Sequence, residues 1–137
     1  MRQVSIQHPE THLCGLRIAH AARSNRRQLQ FHLEPPPPTH GEPRAAGSYT
    51  LIVQSATWHL KHRGRCVVRH NFWPRLIDQA LADCMHLSVR RARLAADDSR
   101  LWLDGAIEIT FSGETGAAHG WMLTHNTTPL PCLGARG

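Results

Sequence analysis

The chain has 137 residues, with 16 lysine and arginine side chains against 10 acidic ones, for a formal charge of +6 with histidine neutral. Hydrophobic residues at 41% and charged residues at 19% suit one domain with a modest core. A mean hydropathy of -0.38 and the lack of a run of about 20 apolar residues exclude a membrane-spanning helix.

The opening MRQVSIQHPETHLCG has no apolar stretch of the kind a secretory signal needs, so a soluble, cytoplasmic protein is expected. Lys61 is the only lysine beside fifteen arginines. GC-rich codons favour arginine without a functional cause, so the excess of positive charge informs and the choice of arginine does not. Cys14, Cys66, Cys84 and Cys132 are widely spaced and form no C-x-x-C pair, which argues against a disulfide framework.

Residues 1–47 read as a flexible arm. Leu16 to Phe31 carries Arg17, Arg23, Arg26 and Arg27 among few large apolar side chains, which suits a short basic helix or a disordered segment. Pro35 to Pro38 then favour an extended polyproline II spacer, and Pro43 and Gly47 continue the stretch. The compact domain is expected over 48–126, and 127–137, with Pro129, Pro131 and Gly134, as a flexible tail.

Within the domain, Tyr49 to Trp58 is β-branched and aromatic without Gly or Pro, and predicts a strand. His59 to Gly64 predicts a turn and Cys66 to His70 the returning strand. Trp73, Leu76, Ile77, Ala80, Leu81, Cys84 and Met85 recur at three- and four-residue steps, with Arg75, Asp78, Gln79, Asp83 and His86 between them. This predicts an amphipathic helix over 73–87, capped by Asn71 and admitting Pro74 in its first turn.

Val89 to Leu94 fits a continued helix and an edge strand equally, and Asp97 to Ser99 predict a turn. Asp104-Gly105 favours a two-residue hairpin, which sets Leu103 against Ala106 and Trp102 against Ile107. Trp102, Ile107, Ile109 and Phe111 would then share the core face, with Leu101 and Leu103 opposite. Gly113 to Ala118 predicts a loop and His119 to His125 a last strand. The order ββαβββ implies an α+β fold, a small antiparallel sheet with one helix packed on one face.

His59, His62, Cys66 and His70 are residue types that zinc takes. Strand alternation puts Cys66 and His70 on one face, while His59 and His62 stand at the turn. Among eleven histidines such spacings arise by chance, so no metal is assigned and a small zinc-stabilised domain is a minor alternative. Cys84 lies on the apolar helix face, where a thiol behaves as a small hydrophobe. No nucleophile elbow, phosphate-cradling P-loop, dinucleotide fingerprint or H-E-x-x-H appears, so neither catalysis nor a cofactor is expected.

What remains is charge. Arg63, Arg65 and Arg69 around the first turn, and Arg90, Arg91 and Arg93 after the helix, are the candidate nucleic-acid-binding residues. Trp58, Trp73 and Tyr49 offer stacking surface beside them. The expected function is a small basic accessory module that binds DNA or RNA weakly and without sequence preference. The alternative is a protein-interaction module that meets an acidic partner or self-associates through Leu101 and Leu103.

Overall fold

A computed structural model describes residues 2–3, 12–25, 28–36, 47–54, 57–95, 98–112 and 121–126. The elements are β1 (Arg2–Gln3), β2 (Arg17–Asn25), β3 (Gln28–Glu34), β4 (Ser48–Val53), β5 (Thr57–His62), β6 (Arg65–Arg69), α1 (Pro74–Cys84), β7 (Val89–Arg93), β8 (Ser99–Leu103), β9 (Ile107–Ser112) and β10 (Trp121–Asn126). They are mostly antiparallel strand with one helix that lies wholly within the described residues, an α+β arrangement. The strands form two sheets of five, ordered β1-β10-β4-β3-β2 and β6-β5-β9-β8-β7.

The segment expected as a flexible arm supplies two of these strands. In β3, Leu29, Phe31 and Leu33 are buried and alternate with Gln30 and His32, the period that a half-buried strand requires. Phe31 pairs with Ala21 of β2 on one side and Leu51 of β4 on the other. In β2 the alternation is broken by register shifts between Ile18 and His20 and between Arg23 and Asn25, so its pattern is masked in the sequence. Leu13 and Leu16 join the same core. Pro37 to Ala46, Arg26 and Arg27, the Gly113 to Ala118 loop and the 127–137 tail lie outside the described residues.

The single strand expected over Tyr49 to Trp58 is two. β4 ends at Val53 in the first sheet, and β5 begins at Thr57 in the second. Leu51 and Val53 from one and Trp58 and Leu60 from the other face one shared core. The last strand pairs with β4 and not with the hairpin, and His119 lies outside the described residues. Val89 to Arg93 is strand, at the edge of the second sheet.

The two sheets are stitched where the chain segments 15–18 and 86–89 pair: Gly15 N donates to Val89 O (2.8 Å), Val89 N to Leu16 O (2.7 Å), Ile18 N to Leu87 O (2.9 Å) and His86 N to Ile18 O (2.7 Å). The Trp121 Nε1 proton bonds Ala95 O at 2.8 Å and ties β10 to the exit of β7.

Helix α1 buries Ile77, Ala80, Leu81 and Cys84, but it packs on β2 and β6 and not on the β8–β9 hairpin. It is shorter than the periodicity implied. Trp73 occupies the N-cap position with no side-chain cap, Pro74 follows, and Met85 leaves the helix with extended backbone. Trp73 is 77% exposed, so it serves neither the helix interface nor the core. Arg23 of β2 holds the helix through Asp78, with Nε to Oδ1 at 3.0 Å and Nη2 to Oδ2 at 3.1 Å. A two-pronged pair of this kind at a surface contributes up to about 1 kcal/mol.

The hairpin loop has three residues, Asp104, Gly105 and Ala106, because Leu103 faces Ile107 and Trp102 faces Glu108. Gly105 (φ +79°) and Ala106 (φ +63°) both stand in left-handed backbone. One residue more in the loop turns β8 over. Leu101 and Leu103, expected outside, are 0% and 2% exposed in the core with Ile109 and Phe111, whereas Trp102 faces out. Self-association through Leu101 and Leu103 is therefore ruled out.

Candidate nucleic-acid interface

With Leu60, Val68, Leu101 and Ile109 directed inward, the alternate residues of the second sheet make up its outer face. The register aligns them into two rows that cross all five strands. The first row reads Arg69, His59, Thr110, Arg100 and Arg93 from β6 to β7. The second reads Cys66, Lys61, Glu108, Trp102 and Arg91. Four strand intervals make each row about 19 Å long, and the rows lie about 7 Å apart. Lys61, Arg69, Arg91, Arg93 and Arg100 thus share a face on which Glu108 is the one acid in either row.

Local contacts fix parts of this face. Arg100 Nη1 donates to Glu108 Oε2 at 3.1 Å, and the Thr110 hydroxyl reaches the same oxygen at 3.5 Å. Arg91 lays its guanidinium over the half-buried Trp102 ring, 4.9 Å from its centre, a cation–π contact on the outer face. Arg69 lies 5.7 Å from the Phe72 ring centre.

Between β6, β5 and β9 the face sinks into an open groove of about 400 Å³, lined among others by His59, Lys61, Cys66, Arg69, His70 and Thr110. His59 Nε2 is buried and meets no partner among the described residues. Burial, and then the charges of Lys61, Arg69 and Arg100, hold His59 below the usual imidazole range, against an opposing pull from Glu108. His70 Nδ1 donates to Trp58 O at 3.4 Å, and this orients the ring.

The structure divides the six arginines picked out by sequence. Arg69, Arg91 and Arg93 stand on the outer face. Arg63 sits in the β5–β6 turn with φ +54°, and Arg65 faces His62 at the same end of the sheet. Arg90 occupies the bulge between Val89 and Arg91 and pairs with Asp104 at 3.6 Å, which compensates its charge. Arg23, expected in a basic arm, is engaged by Asp78. Of the stacking candidates, Trp58 is buried. Tyr49 stacks on His125 with ring centres 4.6 Å apart.

Sequence reasoning missed Lys61, Arg100 and Trp102. The alternation of Trp58 and Leu60 with His59 and Lys61 carried the first, but the two-residue hairpin register hid the others. The four metal candidates do not converge: His59, Cys66 and His70 line the groove, while His62 is exposed near the turn. No group of three or more His, Cys, Asp or Glu among the described residues is arranged to hold a metal ion. Also among the described residues, no helix is long and apolar enough to cross a membrane.

Fold and site together define a two-sheet antiparallel α+β protein with a basic sheet face that presents one indole. No protein-family model matches the chain, and no curated protein and no solved structure shows significant similarity to it.

Proposed function

We propose that this protein is a non-enzymatic module that binds single-stranded nucleic acid, without sequence preference, across the outer face of its second sheet. The observation that supports it most is the pair of rows, which set Lys61, Arg69, Arg91, Arg93 and Arg100 around Trp102 with Glu108 as the sole facing acid. Phosphates of a strand laid on this face exchange their counterions for guanidinium groups, a gain that any sequence delivers. Trp102 supplies a ring on which a base can stack, and a base frees its own face for this only when it is unstacked from its neighbours, as in a single strand. Binding that rests on charge alone falls in the range of about 10⁻⁴ to 10⁻⁶ M at physiological salt.

The test is a titration of a labelled mixed-sequence single strand, followed by anisotropy, against the parent protein and Trp102→Ala. A stacked base contributes about 1–3 kcal/mol, so the variant should bind roughly fivefold or more weakly. Equal affinity would remove Trp102 from the interface. A second reading has its own observation. Trp73 and Leu76, one turn apart at the start of α1, are 77% and 41% exposed, which suits contact with a protein partner.

A further inference from the structure

The groove between β6, β5 and β9 has a composition that the sheet-face reading does not require. Its rim carries two permanent cations on neighbouring rows, Arg69 directly across from His59 and Lys61 two residues further along β5. Its lining includes two imidazoles, His59 and His70, and the Thr110 hydroxyl. Among the described residues no carboxylate lines it, since Glu108 is turned toward Arg100. Its volume of about 400 Å³ lies in the range of small-ligand sites.

We propose that this groove is a binding site for a phosphate monoester. Two cations on adjacent strands match a group that carries between one and two negative charges, where a single carboxylate would satisfy only one of them. Arg69 is the anchor, because its guanidinium presents a fork to phosphate oxygens and rests on Phe72. Lys61 supplies the second charge from β5. His59 forms part of the wall between them, but its Nε2 is closed to solvent and so makes no bond to the phosphate. With its Nδ1–H committed to Trp58 O, the neutral His70 ring offers Nε2 as an acceptor, which suits a protonated phosphate oxygen. A free nucleotide and the terminus of a nucleic-acid strand both supply such an ester, and the chemistry is the same.

The experiment compares four probes on the full chain: a 5′-phosphorylated single strand, the same strand with a 5′-hydroxyl, a nucleoside monophosphate and inorganic phosphate. If the ligand is a strand terminus, the 5′-phosphate tightens binding about tenfold over the hydroxyl form. If it is a free nucleotide, the monophosphate binds saturably and the two strands do not differ. In either case Arg69→Ala and Lys61→Met, both at exposed or half-exposed sites and checked by circular dichroism, remove the phosphate-specific part. Equal binding of the two strands, together with no saturable binding of either small probe, overturns the proposal. That result leaves the sheet-face reading intact if the hydroxyl strand still binds. Loss of all strand binding with retained monophosphate binding overturns the sheet-face reading alone.

Discussion

Replacing Phe31 with Ala tests whether residues 17–34 belong to the fold. Phe31 is 0% exposed at the centre of β3, between Ala21 of β2 and Leu51 of β4. A buried phenylalanine ring takes roughly 150–200 Å² from water, about 4 kcal/mol at 25 cal/mol per Å², and measured Phe→Ala changes in cores cost about 3–5 kcal/mol. Whole domains are stable by only about 5–15 kcal/mol. For a chain of this size each kcal/mol moves the melting midpoint by about 3–5 °C, so Phe31→Ala should melt about 10–20 °C lower. Thermal circular dichroism at 218 nm, with urea unfolding as a second probe, reads the change. A flexible arm would give none. A shift under about 2 °C would mean that β2 and β3 do not pair with β4.

Three further outcomes follow from local geometry. Ala106 stands at φ +63°, so Ala106→Gly should stabilise the protein by about 0.5–1 kcal/mol, and a lower urea midpoint would contradict the three-residue loop. Burial, aided by the Asp83 charge, pushes the Cys84 thiol up to about 12, so at neutral pH Cys84 should resist iodoacetamide while exposed Cys14 and Cys66 are alkylated. Peptide mapping that finds Cys84 modified in folded protein would refute its burial. His59 titrates below its unfolded value, so the unfolded chain takes the proton first as pH falls below about 6.5. Stability present above that pH is then lost on acidification, and His59→Gln should show a smaller loss between pH 7.5 and 5.5; equal losses would count against the buried ring.

What was legible in the sequence was the local pattern with a clean period. The helix around Ile77, Leu81 and Cys84 stands where its three- and four-residue spacing puts it, and the β8–β9 hairpin turns at Asp104-Gly105. Three things were not legible, each for a physical reason. Bulges in β2 broke its alternation, so a strand read as a polar arm. The hairpin differed from the favoured two-residue loop by Ala106, and that single residue exchanged Trp102 for Leu101 and Leu103 in the core. The assignment of β4 and β5 to different sheets depends on long-range pairing, which no window of the sequence contains. The candidate site suffered from the same causes. Charge clusters close in sequence, such as Arg90, Arg91 and Arg93, were split by a bulge, whereas Arg69, Arg100 and Arg93 were joined into one row by pairing across strands.

The claim that the outer face of the second sheet binds nucleic acid is tested most directly by salt dependence. A labelled mixed-sequence single strand is titrated between 50 and 200 mM salt (about a fourfold span) with the parent and with the combined variant Arg69→Ala, Arg91→Ala and Arg93→Ala. Each phosphate contact contributes about 0.7 to the log–log slope for a single strand. If these three arginines meet phosphates, the parent affinity should fall steeply with salt and the variant slope should be flatter by about 2. Both proteins should melt alike, since Arg69, Arg91 and Arg93 are exposed. Equal slopes for the folded variant and the parent, or no binding by the parent at 50 mM salt, would contradict the assignment of this face.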